Sequence, residues 1–381
     1  MNEPSPLLPA GLYDLLPPTA EVEASVTARL MASLGAHGYE RVKPPLVEFE
    51  ETLFSGAGAA MATATFRLMD PASHRMIGMR ADMTPQVARI AATRLGAAPR
   101  PLRLSYAGQV LRVKASEIRP GRQSGQVGAE LIGAEGPLAD VEAIAVASEA
   151  LLAIGVADLS VDITLPTLVP ALVEAYGLGA EPAAALRAAL DHKDATAVAA
   201  LAGPAGPRFE ALLRAAGPAA AAILALDRLD LPERARGERA RLAEVVAGLA
   251  AAMPELRVTV DPVENRGFEY HTGISFTFFA GGGVGELGRG GRYQAGDPAA
   301  PEPATGFSLY TEAILDTIPE EAPRRRLLLP LGTARDRARR LREEGWVTVA
   351  ALAPARDWHA EARRLRCGHV LEKGGPAAVA G

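Results

Sequence analysis

The chain has 381 residues, 49% hydrophobic and 22% charged, with a formal net charge of −5. Those values are ordinary for a globular protein of about two or three domains, long enough to bury a core, and they exclude a global basic field that would draw in nucleic acid. Met1 to Pro18 lacks a basic segment followed by an apolar one, and no stretch approaches the ~18 uninterrupted apolar residues of a membrane span, so the sequence reads as a cytoplasmic protein.

Thr19 is placed to cap a first helix, with Glu21 and Glu23 in its opening turn, and Val22, Val26, Leu30 and Leu34 form its apolar stripe up to Gly35 and Gly38. Tyr39 to Val47 is extended and contains Pro44 and Pro45, which suits a sheet edge or an interface because proline offers no ladder donor. Thr65 to Met69 and Arg75 to Arg80 read as strands joined by a turn at Asp70 to Ser73. Thr84-Pro85 reads as a cap and helix start, with the helix ending at Gly96.

Leu102, Leu104 and Tyr106 alternate as a strand, and so does Gln126 to Ile132, with Lys114 to Ser124 as a long polar hairpin loop. A helix is predicted from about Ala139 to Ile154. Residues 168–253 turn rich in Ala and Leu at helical spacing and read as a helical insertion without catalytic residue types. Strands return at Leu256 to Val260 and around Ile274, Phe276 and Phe278. Gly281 to Gly291 fits no phosphate-loop pattern and is read as a flexible turn. After a linker at Pro319 to Arg326, strands and helices alternate in a small α/β unit. Hairpins mixed with helices predict an α+β fold for the larger part.

Three stretches could carry chemistry. Gln126, Gly128 and Glu130 share one strand face, and an amide, a gap and a carboxylate would suit a cationic or amide-bearing ligand; a solvated sheet face has the same pattern. Asp82 and Thr84 stand where a strand runs into a helix, which also fits simple capping by Thr84 beside a surface Asp82. Arg266 and Tyr270 alternate onto one face, where a guanidinium could grip a carboxylate or merely pair with a surface acid. The histidines His37, His74, His192, His359 and His369 show no metal-ligand spacing, and Cys367 reads as a small half-buried apolar residue, so no metal, catalytic nucleophile or cofactor is expected.

Taken in order along residues 7–318, these stretches resemble the class II aminoacyl-tRNA synthetase core, in its histidyl branch. Pro9 to Pro17 is similar to the opening segment of that family, Gly38 to Glu48 to motif 1, and Arg80-Ala81-Asp82-Met83-Thr84 to the Arg-Pro-Glu-Gly-Thr stretch. Val110 to Gly133 resembles motif 2, Arg266 to Tyr270 and Gly290 to Tyr293 the two histidine motifs, and Gly306 to Leu309 the start of motif 3. The resemblance implies an antiparallel sheet flanked by helices over 1–318, carrying the insertion of about 168–253, and a shortened anticodon-binding-like α/β unit over 324–381. It also implies a histidine site: Asp82, Thr84 and Gln126 toward the α-ammonium, Arg112 and Arg266 toward the carboxylate, and Glu130, Tyr270 and His271 around the imidazole. Asp82 stands in place of a family glutamate and His271 in place of a tyrosine.

Two departures change the functional expectation. Lys114 occupies the place of the motif 2 glutamate, and Ala313 the place of the motif 3 arginine that holds the triphosphate. Without that fixed cation, adenylate formation loses its charge stabilisation. A kept amino-acid pocket without an ATP grip resembles the regulatory subunits of short-form ATP phosphoribosyltransferase. That likeness implies no catalysis by this chain, a dimer of it, a hetero-octamer with the short catalytic subunit, and allosteric regulation by free L-histidine in histidine biosynthesis. An active histidyl-tRNA synthetase is the alternative. A third reading, RNA binding by the arginine-rich run from Arg324 to Arg342, competes with a solvated helix face.

Overall fold

The computed structural model describes residues 7–114, 121–264, 271–281, 285–297, 299–319 and 324–379. The chain divides into two compact units, Met1–Pro319 and Glu320–Gly381.

The larger unit begins with α1 (Thr19–Ala36), whose Val26, Leu30 and Leu34 are fully buried, as the four-residue stripe predicts. Thr19 does not cap it. Pro18 holds the cap position in helical conformation, and the first N–H groups reach the Leu16 and Pro18 carbonyls. Gly38, at φ +81°, turns the chain out of the helix. β1 (Glu40–Arg41) lies at one end of the main sheet, parallel to a later strand, and Pro44 and Pro45 follow it outside any ladder. Their carbonyls instead accept from the buried Arg80 guanidinium, at 3.1 and 3.4 Å, and that of Pro45 also accepts from Gln86.

β2 (Val47–Phe49), β3 (Phe66–Met69) and β4 (Met76–Met79) form a small antiparallel sheet, with α2 (Glu50–Leu53) between the first two in sequence. The predicted turn at Asp70 is present, its carboxylate accepting from Ala72 and Ser73 N–H. α3 (Thr84–Thr93) starts at Thr84, but Thr84 is no cap: its N–H donates to Asp82 at 2.8 Å, and its hydroxyl is engaged elsewhere.

β5 (Leu102–Leu111) and β6 (Gln123–Ile132) make the predicted hairpin, followed by α4 (Pro137–Ala153) and β7 (Ser160–Thr164). The insertion is helical, α5 (Leu168–Ala175), α6 (Ala180–Asp191), α7 (Ala195–Ala202) and α8 (Gly206–Arg214), interrupted by a two-residue strand β8 (Gly217–Pro218), then α9 (Ala219–Asp227) and α10 (Glu233–Ala252). Its buried Leu186, Leu190, Phe209, Leu242 and Val245 join the same apolar cluster as α1, α4 and the sheet. β9 (Arg257–Asp261), β10 (Ser275–Phe279), β11 (Gly288–Asp297), β12 (Ala300–Tyr310) and α11 (Thr311–Leu315) complete the unit. The main sheet has nine strands, in the order β1-β5-β6-β12-β11-β10-β7-β9-β8, antiparallel except for β1–β5 and β7–β9.

The glycine-rich stretch differs from its predicted turn. Gly288, Gly290 and Gly291 are strand residues in the interior of the sheet. The reason is close approach: a Cβ on Gly290 would lie 2.2 Å from the Gly306 carbonyl oxygen and 2.5 Å from the Phe276 ring. Glycine here marks crowding rather than freedom.

The smaller unit contains β13 (Arg326–Leu329), α12 (Arg335–Glu343), β14 (Val347–Ala350), α13 (Trp358–Arg364), β15 (His369–Glu372) and β16 (Gly375–Ala378). Its sheet order is β14-β13-β15-β16. β16 is a fourth strand absent from the sequence reading; its Gly-Pro-Ala-Ala composition carries no strand signal, and pairing with β15 creates it. Cys367 is buried against Ala362 and Val370.

Candidate amino-acid recess

Register builds the recess. Across β6, β12 and β11, Glu130 faces Gly306, which faces Gly291; one step along, Gly128 faces Ser308, which faces Arg289. On the other side of β6, Tyr106 of β5 faces Gly128. Directly paired residues project from the same sheet face, so all of these belong to one surface. The predicted shared face of Gln126, Gly128 and Glu130 is therefore present, and it is buried rather than solvated: Gln126 and Glu130 are each 1% exposed. The gap at Gly128 is filled. A Cβ there would stand 2.5 Å from the Tyr106 hydroxyl, and one on Gly306 would fall 1.7 Å from Glu130 Oε2.

The polar groups are organised around two acids. Gln126 Nε2 donates to Asp82 Oδ1 at 3.1 Å and to Ser308 Oγ at 2.7 Å, while its Oε1 accepts the Met83 N–H at 3.0 Å. An amide that both donates and accepts thus ties the start of α3 to β6 and β12. Tyr106 donates to Glu130 Oε1 at 3.0 Å and lies 3.1 Å from both Thr84 Oγ1 and Ser308 Oγ. Tyr293 donates to Glu130 Oε2 at 2.9 Å.

Complete burial raises the Glu130 pKa from 4.5 to about 8; the two tyrosine hydroxyls and Thr84 oppose the shift, and the nearby Asp82 adds to it. Burial also pushes the Tyr106 hydroxyl well above its ordinary value, helped by Glu130 and Asp82. A neutral or nearly neutral Glu130 can exchange a proton with a ring nitrogen, and Asp82 can receive an ammonium.

The lining comprises Asp82, Thr84, Glu130, His271, Arg289, Gly290, Gly291, Tyr293, Gly306, Phe307, Ser308 and Tyr310. Of the predicted residues, Asp82, Thr84, Glu130 and His271 meet there, and Gln126 lies directly beneath, bonded to Asp82. Arg112 is not among the lining residues; its guanidinium lies over the ring of Tyr310, itself a lining residue, 5.8 Å from the centroid, and its backbone continues the β5–β6 pairing through Arg122. Arg266 and Tyr270 lie outside the described residues. Sequence reasoning missed Tyr106, Ser308 and Arg289 as recess residues. Tyr106 carried a signal, since it alternates with Leu102 and Leu104, but only the pairing with Gly128 turns that signal into a site.

A buried ion pair supports the back of the sheet. Arg292 lies 2.9 Å from Asp140, donates to the Ala134 and Gly136 carbonyls, and shares Asp140 with the Thr305 hydroxyl. It pins the start of α4 to β11 and β12. Because residues alternate along β11, Arg292 and Tyr293 point to opposite faces, the first bracing the fold and the second reaching Glu130. Where a triphosphate cation is lacking, Ala313 packs its methyl group against the main apolar cluster, and Lys114 is exposed. Among the described residues no group of three or more His, Cys, Asp or Glu side chains is placed to hold a metal ion, and no helix is long and apolar enough to cross a membrane.

Comparison with known proteins adds four findings. The family model described as histidyl-tRNA synthetase matches residues 11–314. The chain is 58% identical, over 365 residues and 96% of each chain, to an ATP phosphoribosyltransferase regulatory subunit of Paramagnetospirillum magneticum. It is also 58% identical to the protein of the same name in Rhodospirillum centenum, over 97% of this chain and 95% of that one. A solved structure from Bacillus halodurans, titled as an ATP phosphoribosyltransferase regulatory subunit/histidyl-tRNA synthetase, superposes with a TM-score of 0.80 at 24% identity, covering 95% of this chain and 97% of that one. At that identity it supports the class II synthetase-like fold.

Proposed function

The chain belongs to the ATP phosphoribosyltransferase regulatory subunits, within the histidyl-tRNA synthetase family, and from that premise we propose that it assembles with the short catalytic subunit, is required for that subunit's activity, and carries feedback inhibition by free L-histidine in the first step of histidine biosynthesis. In this reading the chain performs no chemistry of its own, works in the cytoplasm, and forms dimers that join the catalytic subunit in a hetero-octamer.

One observation carries the proposal: among the described residues the recess keeps a hydrogen-bonded set of acids, amide and hydroxyls, while Ala313, at the place the resemblance gives to a triphosphate-holding arginine, packs into the core. Asp82, Gln126, Glu130, Tyr106 and Tyr293 are joined in one hydrogen-bonded set, and Ala313 adds its methyl to the core. A free histidine complements that set, with its ammonium at Asp82 and its ring at Glu130 and Tyr293. Arg266 and Tyr270 belong to the proposed site by resemblance.

Regulation then follows from linkage. Histidine can shift the complex only if it binds the active and inhibited arrangements with different affinity, and the catalytic subunit must in turn change the affinity for histidine by the same factor. The test reconstitutes the purified catalytic subunit with and without this chain. Phosphoribosyl transfer should require the chain, histidine should suppress it, and Glu130→Ala should relieve the suppression. Histidine-dependent exchange of pyrophosphate into ATP by the chain alone would instead identify a working ligase and reject the proposal.

A further inference from the structure

Resting on the histidine reading above, the geometry points to Arg289 as a further group that holds the carboxylate of the bound amino acid, beside Arg266, which the resemblance assigns there and which lies outside the described residues. The recess is layered along its strands. Glu130, Gly306 and Gly291 make one layer; Gly128, Ser308 and Arg289 make the next, two residues away. Two residues of strand span about 7 Å, comparable to the separation between the ring and the charged head of free histidine.

The ring layer is set by Glu130 with Tyr293. The head layer contains Ser308, bonded to Gln126, which is bonded to Asp82. An α-carboxylate shares its carbon with the α-ammonium, so its partner must stand beside the acid that takes the ammonium. Arg289 lines the same recess as Asp82, whereas Arg112 is not among the lining residues and meets the recess only through the ring of Tyr310, 5.8 Å from its centroid.

Arg289 is also held in place. Glu286, 7% exposed, accepts from its Nε and from one terminal nitrogen, a side-on pair that fixes the plane of the guanidinium. Because Glu286 takes the side-on edge, a ligand carboxylate would be met end-on through the terminal nitrogens of this oriented guanidinium.

Isothermal titration with L-histidine and with histamine, which lacks the carboxylate, separates the possibilities. Wild type should bind histidine roughly 10- to 100-fold more tightly than histamine, as one charge-assisted contact implies. Arg289→Met should weaken histidine by that factor and leave histamine unchanged, and Arg289→Lys should recover part of the loss. The double variant Glu286→Gln/Arg289→Met, which leaves no buried carboxylate unpaired, should behave like Arg289→Met while melting close to wild type. If wild type binds histidine and the Arg289 variants bind it equally well, the assignment of Arg289 falls and the histidine reading stands. Equal loss of both ligands in the single and double variants also overturns it. If wild type binds neither ligand, the histidine reading itself fails and takes Arg289 with it.

Discussion

Glu130→Gln is expected to leave stability in mild acid little changed and to raise it in alkali. In the folded chain burial lifts this carboxyl to about 8 from an ordinary 4.5. Between those values the folded state keeps the proton and the unfolded state has released it, so stability falls as pH rises. The favourable contribution is fully present below about 4.5 and is lost as pH climbs through about 8. Across that window the loss amounts to roughly 3–5 kcal/mol, the lower figure allowing for relaxation around the ionised form.

Glutamine has nearly the same shape and no proton to lose. Its carbonyl can accept from one tyrosine and its amide can donate to the other, and Tyr106, which also neighbours Thr84 and Ser308, has alternative partners when its hydroxyl turns. Any cost of that rearrangement is independent of pH and cancels in the comparison. Thermal unfolding followed by circular dichroism, from about pH 5 to pH 9, should show the melting temperature of the variant gaining on wild type by roughly 4–8 °C over the range. Parallel curves would refute the argument, because they would mean that Glu130 is as solvated when folded as when unfolded.

Three further outcomes follow from the same geometry. Gly306→Ala places a Cβ 1.7 Å from Glu130 Oε2, so histidine binding measured by calorimetry should be lost even where the variant folds; retained affinity would show that Glu130 is not a ligand contact. Arg292→Met strands the buried Asp140 carboxylate, which should cost about 3–5 kcal/mol in urea unfolding, with Asp140→Asn added to it restoring much of the loss. Gln126→Leu leaves the buried Met83 N–H without the Oε1 acceptor, an expected cost of about 1–3 kcal/mol, and should weaken histidine binding by loosening Asp82.

Local pattern reached far into the fold and stopped at consistent places. The α1 stripe was legible because a helix brings residues four apart onto one face, and the face of Gln126 and Glu130 because a strand does the same at two. Thr19 and Thr84 carry the capping signal and neither caps, because a hydroxyl at a helix start has several possible partners, and in Thr84 it turns inward to Tyr106. The glycines of Gly281 to Gly291 suggest a flexible turn because glycine is permissive, whereas Gly290 in the strand is there to admit Gly306 and Phe276. β16 had no signal of its own and exists through its neighbour.

For the site, sequence supplied the acids and the amide and placed the cation on Arg112 and Arg266, of which Arg112 is not among the lining residues and Arg266 lies outside the described residues. The residue types and their order along the chain, together with the absence of a triphosphate arginine at Ala313, were determined by the sequence itself, because motif identity does not depend on where the chain goes. Which side chains converge was decided by tertiary structure. Tyr106, Ser308 and Arg289 come from three different strands, and only the pairing of β5, β6, β12 and β11 sets them beside Glu130. The same pairing removes Glu130 from water, and that burial, which no reading of neighbours along the chain contains, raises its proton affinity.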